Sequence, residues 1–226
     1  VNLEPIETTL REVTVMSNDK LIEAIIKTAR SQLSEYKSEQ STFFYRQLSL
    51  VNEKPSSLTE AFVNARSAML IRNMELITGR YSTPQSSESN QTYAGNFIVF
   101  SQIGMLLNGR GEPEWEDIVP LSSNYKSFYN VTIDMADSCY VLRFKPKEVY
   151  LRSIVDCTIF VDMETMHLRK AVGSVKQLQI LHNAGKPTQY SLPIRLNFTC
   201  YYNSDRGFCE VQSITTNIFY ATDETD

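Results

Sequence analysis

The side chains with the most obvious chemistry are four cysteines, Cys139, Cys157, Cys200 and Cys209, and two histidines, His167 and His182. A cysteine nucleophile works as its thiolate and needs a base, most often histidine, within hydrogen-bond reach. His167 and His182 are 15 residues apart and fall in one β-like run. That odd separation puts them on opposite faces of an unbroken strand, so a shared metal or acid–base site is not expected. The cysteines lack the close pair with which zinc sites usually begin. Two disulfides are conceivable, Cys139/Cys157 on successive strands and Cys200/Cys209 across a turn at 203–207. The competing reading is four free thiols buried as small hydrophobes.

Carboxylates offer little more. Glu112, Glu114, Glu116 and Asp117 flank the single Trp115, a cluster that could hold a cation or a sugar. A solvated loop with Trp115 plugging the core is the simpler reading. The chain contains no nucleophile elbow, phosphate-binding loop, dinucleotide fingerprint, HExxH or calcium loop. Asn90, Asn130 and Asn197 open N-x-Thr sequons, a number that chance supplies. No catalytic residue, metal ligand or cofactor-binding residue is therefore assigned, and the chain is not expected to be an enzyme.

Bulk properties narrow the partners. A formal charge of −4 argues against nucleic acid, which needs a concentrated basic face. No apolar run reaches the ~18–20 residues of a membrane span. With 226 residues and 42% hydrophobic content, the chain can build a sizeable core without disulfides or metal. The 12 Tyr and 11 Phe suit β-sheet faces.

The elements follow from periodicity. Ser17, Asn18 and Asp19 can cap a helix, and Leu21, Ile22, Ile25, Ile26, Ala29 and Leu33 continue at helical spacing, which predicts a helix over 19–36. Residues 41–51 read as a strand, and 57–69 as the returning arm of a hairpin or a helix. Residues 82–92 read as a loop, and 96–107 as a second helix. From 126 onward the pattern is β: strands near 139–146, 154–162, 166–182, 190–202 and 208–220, with a turn bracketed by Asp162 and Thr165. The clearest alternation places Leu192, Ile194, Leu196, Phe198 and Cys200 on one face, and Pro193, Arg195, Asn197 and Thr199 on the other. These elements predict an α+β fold, a curved antiparallel sheet packed on one or more helices.

Several short patterns occur in order: LEPIETTLREVTV at the start, FFYRQ (43–47), LTEAF (58–62), ITGRYS (77–82), YVLRFKP (140–146) and IFVDMET (159–165). Together they resemble a family of Gram-negative envelope proteins, in which such a module follows a carboxypeptidase-regulatory-like domain. The resemblance implies that 1–16 is the end of an upstream β-sandwich domain or a linker; the order of the elements makes 17–222 one α+β domain, and the acidic end, 223–226, reads as a frayed tail. The resemblance also implies a periplasmic or outer-membrane-associated location, and the name of the upstream domain does not imply peptidase activity. The later strands also resemble the half-open barrel of periplasmic lipoprotein carriers, where a curved sheet wraps helices and can hold acyl chains.

The leading expectation is a non-catalytic binding or interaction module of the cell envelope, whose partner is an envelope protein or an apolar ligand. A lipid or lipoprotein carrier is one alternative, with Leu192, Ile194, Leu196 and Phe198 as the apolar lining. An envelope hydrolase is the other, and a structural spacer a third class. A one-sided sheet ordinarily spends such an apolar face on its own core.

Overall fold

A computed structural model describes residues 18–34, 40–51, 53–67, 71–83, 103–108, 118–150, 154–178, 194–203 and 209–220. The expected upstream segment and frayed tail lie outside these residues, as do Leu192, His182, Asn90 and the acidic cluster around Trp115.

Helix α1, Asn18–Ser34, starts where the capping residues place it. Ile22, Ile25, Ile26 and Ala29 are buried, the single stripe that an i, i+3, i+4, i+7 pattern creates. Strands β1 (Gln40–Val51), β2 (Lys54–Ser67) and β3 (Ile71–Ser82) follow and form an antiparallel sheet in that order. The segment 57–69, whose composition also permits helix, is thus a hairpin arm. Strand partners on both sides override a weak local preference. Helix α2 (Ile103–Asn108) falls at the end of the expected 96–107 helix, and α3 (Tyr125–Phe128) is a single turn.

The remaining strands are β4 (Tyr129–Ala136), β5 (Cys139–Pro146), β6 (Asp156–Asp162), β7 (Leu168–Leu178), β8 (Ile194–Asn203) and β9 (Glu210–Tyr220). They make a six-stranded antiparallel meander in which each strand pairs with its sequence neighbour. Among the described residues the protein is mostly antiparallel β-sheet, in two open sheets with few helices, so it is mainly β where an α+β fold is expected from the sequence.

One side of the larger sheet is filled. Leu142, Phe144, Ile159, Val161, Leu168, Leu196 and Phe198 join Ile25 and Ala29 of α1 and Leu107 of α2 in one hydrophobic cluster. Phe144 meets the rings of Tyr125 and Tyr129 edge-on at 6.3 and 5.9 Å, a favoured aromatic geometry. Gln32 Nε2 donates to the Met166 carbonyl at 3.0 Å, tying the end of α1 to the β6–β7 turn. Gly173 of β7 is required by this packing. A Cβ there would stand 2.6 Å from Phe198 Cζ and 2.7 Å from Cys157 Cβ.

Candidate functional site

Three of the four cysteines are placed where a thiolate is disfavoured. All four cysteines are free thiols. Cys157, Cys200 and Cys209 are buried in the core cluster. Burial pushes the Cys200 and Cys209 thiols up to about 12 and that of Cys157 higher still, because a thiolate there would lose its hydration. The Cys209 thiol donates to the Leu168 carbonyl at 3.5 Å. Cys139 is half-buried, and burial together with the charge of Asp162 raises its pKa as well. The conceivable Cys139/Cys157 bridge is excluded by register. Cys139 opposes Asp162 while Cys157 opposes Phe144, so the two thiols are five rungs apart, roughly 17 Å along the strands. Cys200 opposes Ile214 in the β8–β9 pair, so Cys209, ahead of β9, is not its direct cross-strand partner.

The β7 strand expected over 166–182 begins only at Leu168. Met166 takes a left-handed backbone (φ 58°), which ends the β6–β7 turn, and His167 stands at that turn rather than on a strand face. Its backbone carbonyl accepts from Asp162 N at 2.9 Å. Asp162 organises the turn. Its carboxylate accepts from the backbone N–H of Thr165 at 2.8 Å and of Glu164 at 3.1 Å, and from the Thr165 hydroxyl at 2.9 Å. Arg169 pairs with it at 2.9 Å. The Thr165 N–H and then Arg169 hold the carboxyl well below the usual carboxylate range. This anchor is structural. Among the described residues no group of three or more His, Cys, Asp and Glu side chains is arranged to hold a metal.

The residues singled out as an apolar lining divide. Ile194 opens β8, opposite Leu178 and Tyr220. Leu196 and Phe198 are 0% and 2% exposed and belong to the core cluster.

The relief of the molecule lies on the opposite face of the same sheet. There the strand registers build two rungs, polar except for Val172, across β6, β7, β8 and β9. The first is Asp156–Ser174–Asn197–Asn217 and the second Thr158–Val172–Thr199–Thr215. These eight residues line an open hollow of about 420 Å³. A third rung, Phe160–Lys170–Tyr201, borders it. Lys170 Nζ sits 5.5 Å from the Phe160 ring centre and 5.0 Å from that of Tyr201, a cation held between two rings. A second hollow of about 560 Å³ adjoins the first, sharing Thr158 and Val172. It is walled by Met135, Val141 and Phe160 and by the Asp134–Arg143 ion pair. Together the hollows form a two-lobed groove, one lobe mainly polar and one largely apolar; Cys157, Gly173 and Phe198 also line the polar lobe, the Cys157 thiol being buried and its pKa raised by desolvation.

The three-stranded sheet has an exposed apolar side as well. Phe44 (56% exposed), Leu48, Leu50 and Phe62 all stand open to solvent. Phe44 and Phe62 are cross-strand partners with ring centres 5.2 Å apart. Glu60, beside them, is gripped by Arg46 at 3.4 Å and by Arg80.

Comparison with protein families, with curated proteins and with solved structures found no match. Among the described residues no helix is long and apolar enough to cross a membrane. Sequence reasoning placed Asn197 and Thr199 on the solvent side of their strand but did not join them to Asp156, Ser174, Thr215 and Asn217. The available signal was the polar half of the same alternation. What it lacked was the register that turns separate polar positions into a grid.

Proposed function

We propose that this protein is a non-catalytic binding module of the Gram-negative cell envelope that engages its ligand on the open face of the six-stranded sheet. One observation carries the reading. The core face is filled by the protein's own side chains, Leu196 and Phe198 among them, whereas most residues lining the two hollows alternate to the reverse face, with Cys157, Gly173 and Phe198 also bordering the first. A concave surface with a few convergent polar groups beside apolar walls is what ligand sites generally present. Three of the four thiols are buried with raised pKa, Cys157 among them although it borders the first hollow, which disfavours the reactive thiolate there. The envelope location and the kinship with modules that follow carboxypeptidase-regulatory-like domains rest on the FFYRQ, LTEAF, ITGRYS and IFVDMET patterns.

The finer architecture belongs to the same proposal. Two antiparallel meanders, each in sequence order, with α1 contributing to the core of the larger one, accord with a half-open barrel wrapped on a helix. In a lipid carrier of that shape the acyl chain occupies the wrapped face. Here that space is taken by Phe144, Ile159, Leu196 and the α1 isoleucines, so the exposed groove is the better ligand site.

The test is to present immobilised protein with envelope extract separated into polysaccharide, lipid and protein fractions, using wild type and Thr199→Trp, which fills the polar hollow. Saturable binding from one fraction that Thr199→Trp abolishes supports the reading. Equal binding by both proteins, or an acyl chain co-purifying in native mass spectrometry, overturns it.

A further inference from the structure

We infer that the polar lobe of the open face is a carbohydrate-binding platform, taking consecutive units of a neutral oligosaccharide. The inference rests on the preceding reading of this face as the binding surface and names its ligand class.

The chemistry comes first. Ser174, Asn197, Asn217, Thr158, Thr199 and Thr215 project hydroxyl and amide groups into one hollow. Each such group both donates and accepts, as every sugar hydroxyl does. Among the described residues, none of the six gives its side chain to an internal hydrogen bond, so the grid is unspent. Its one charged member is Asp156, an acceptor for paired hydroxyls but a poor neighbour for a phosphate or an acidic chain.

Dimensions agree. Adjacent strands lie ~4.8 Å apart and same-face neighbours along a strand ~6.7 Å, so two rungs over four strands span about 14 by 7 Å. That area holds several contiguous sugar rings, and is larger than an ion or a single small metabolite requires. The third rung supplies the apolar complement. The Tyr201 ring is exposed at the margin of the grid, and Lys170, packed against both Tyr201 and Phe160, stiffens the pair. An exposed ring next to hydroxyl and amide groups matches the two-sided nature of a pyranose, with apolar C–H faces and polar edges.

Other ligand classes fit less well. A peptide recognised by strand addition pairs along a sheet edge; of the four strands that build the grid only β9 is an edge, and β6, β7 and β8, which carry most of the polar groups, are paired on both sides. Nucleic acid needs a basic surface, and the polar hollow contains no Lys or Arg. An acyl chain would require a closed apolar pocket, which a solvent-open hydroxyl grid is not.

The full chain is titrated with maltohexaose, cellohexaose and chitohexaose by calorimetry and by amide chemical shifts. Saturable binding of at least one, in the micromolar to millimolar range, is expected. Asn197→Leu and Thr199→Val each remove about one hydrogen-bonding group and should weaken it about tenfold, and Tyr201→Ala should do likewise. All three sites lie on the solvent side of paired strands, and unchanged melting temperatures confirm that the variants fold. No saturable binding of any hexasaccharide overturns the inference, as does binding indifferent to the three substitutions. If the hexasaccharides fail while Thr199→Trp abolishes capture from a lipid or protein fraction, the carbohydrate assignment falls and the binding-face reading stands. If Thr199→Trp changes no interaction at all, both fall.

Discussion

Replacing Gly173 by alanine tests how completely the core face of the large sheet is filled. In an open strand this change stabilises by about 0.5–1 kcal/mol, because glycine loses more backbone freedom on folding. Here the new Cβ would stand 2.6 Å from Phe198 Cζ, 2.7 Å from Cys157 Cβ and 2.8 Å from the Asp156 carbonyl oxygen. Each approach is about 1 Å inside an ordinary contact of ~3.5–4.0 Å. Phe198 could swing only by displacing a packed core, since its side chain is buried, and the other two atoms move only with the β6 backbone. Steric cost therefore wins. The expected net destabilisation is about 2–3 kcal/mol, equivalent to a melting temperature lower by roughly 5–10 °C for a domain of this size. Urea unfolding and calorimetry measure it. Phe198→Leu alone should cost about 1–2 kcal/mol. Combined with Gly173→Ala it should cost about 1 kcal/mol less than the sum, because the shorter side chain vacates the contested space. A Gly173→Ala protein as stable as wild type, or strict additivity in the double variant, would refute the packing described.

Three further outcomes follow from the same geometry. Under native conditions a thiol reagent should modify at most Cys139 quickly, with Cys157, Cys200 and Cys209 reacting only as the chain unfolds. Mass spectrometry of time points distinguishes this from uniform labelling, which would contradict the buried thiol positions. Asp162→Asn should lower stability at pH 7 by about 1–2 kcal/mol. Because the folded carboxyl is held below its usual range, the wild-type advantage is present at neutral pH and shrinks as the pH falls from about 4 toward the depressed folded value. A variant difference constant down to strong acid would show that Asp162 does not act through its charge. Phe44→Thr, on the exposed side of the three-stranded sheet, should cost less than ~1 kcal/mol, whereas Ile159→Ala in the core should cost about 3–4 kcal/mol. Denaturant midpoints for the pair would contradict the burial if they moved equally.

The fold was legible wherever one strand or helix carries its own signal. The stripe of Ile22, Ile25, Ile26 and Ala29 marks α1, and the alternation through Leu196, Phe198 and Cys200 marks both the strand and its buried side. The turn at Asp162 was also readable, because an Asp followed by Thr three residues later bonds its own backbone. The segment 57–69 was not decidable locally, since its composition suits either helix or strand and only its neighbours β1 and β3 choose. His167 was misplaced because a left-handed Met166 is invisible to periodicity. The groove was hidden for a different reason. Asp156, Ser174, Asn197 and Asn217 lie on four separate strands, and the bulges at Phe160/Val161 and Tyr201/Tyr202 shift the pairing, so no count along the chain predicts which polar residues become neighbours.

Ligand is proposed to meet the open face of the six-stranded sheet and not its core face. Amide chemical-shift mapping of the full chain during titration with the best-binding hexasaccharide tests it most directly. Saturable shifts are expected to cluster at Thr158, Ser174, Asn197, Thr199 and Thr215, with Leu142, Ile159 and the α1 isoleucines unmoved. Shifts concentrated on α1 and the core-face residues, or none that saturate, would contradict it.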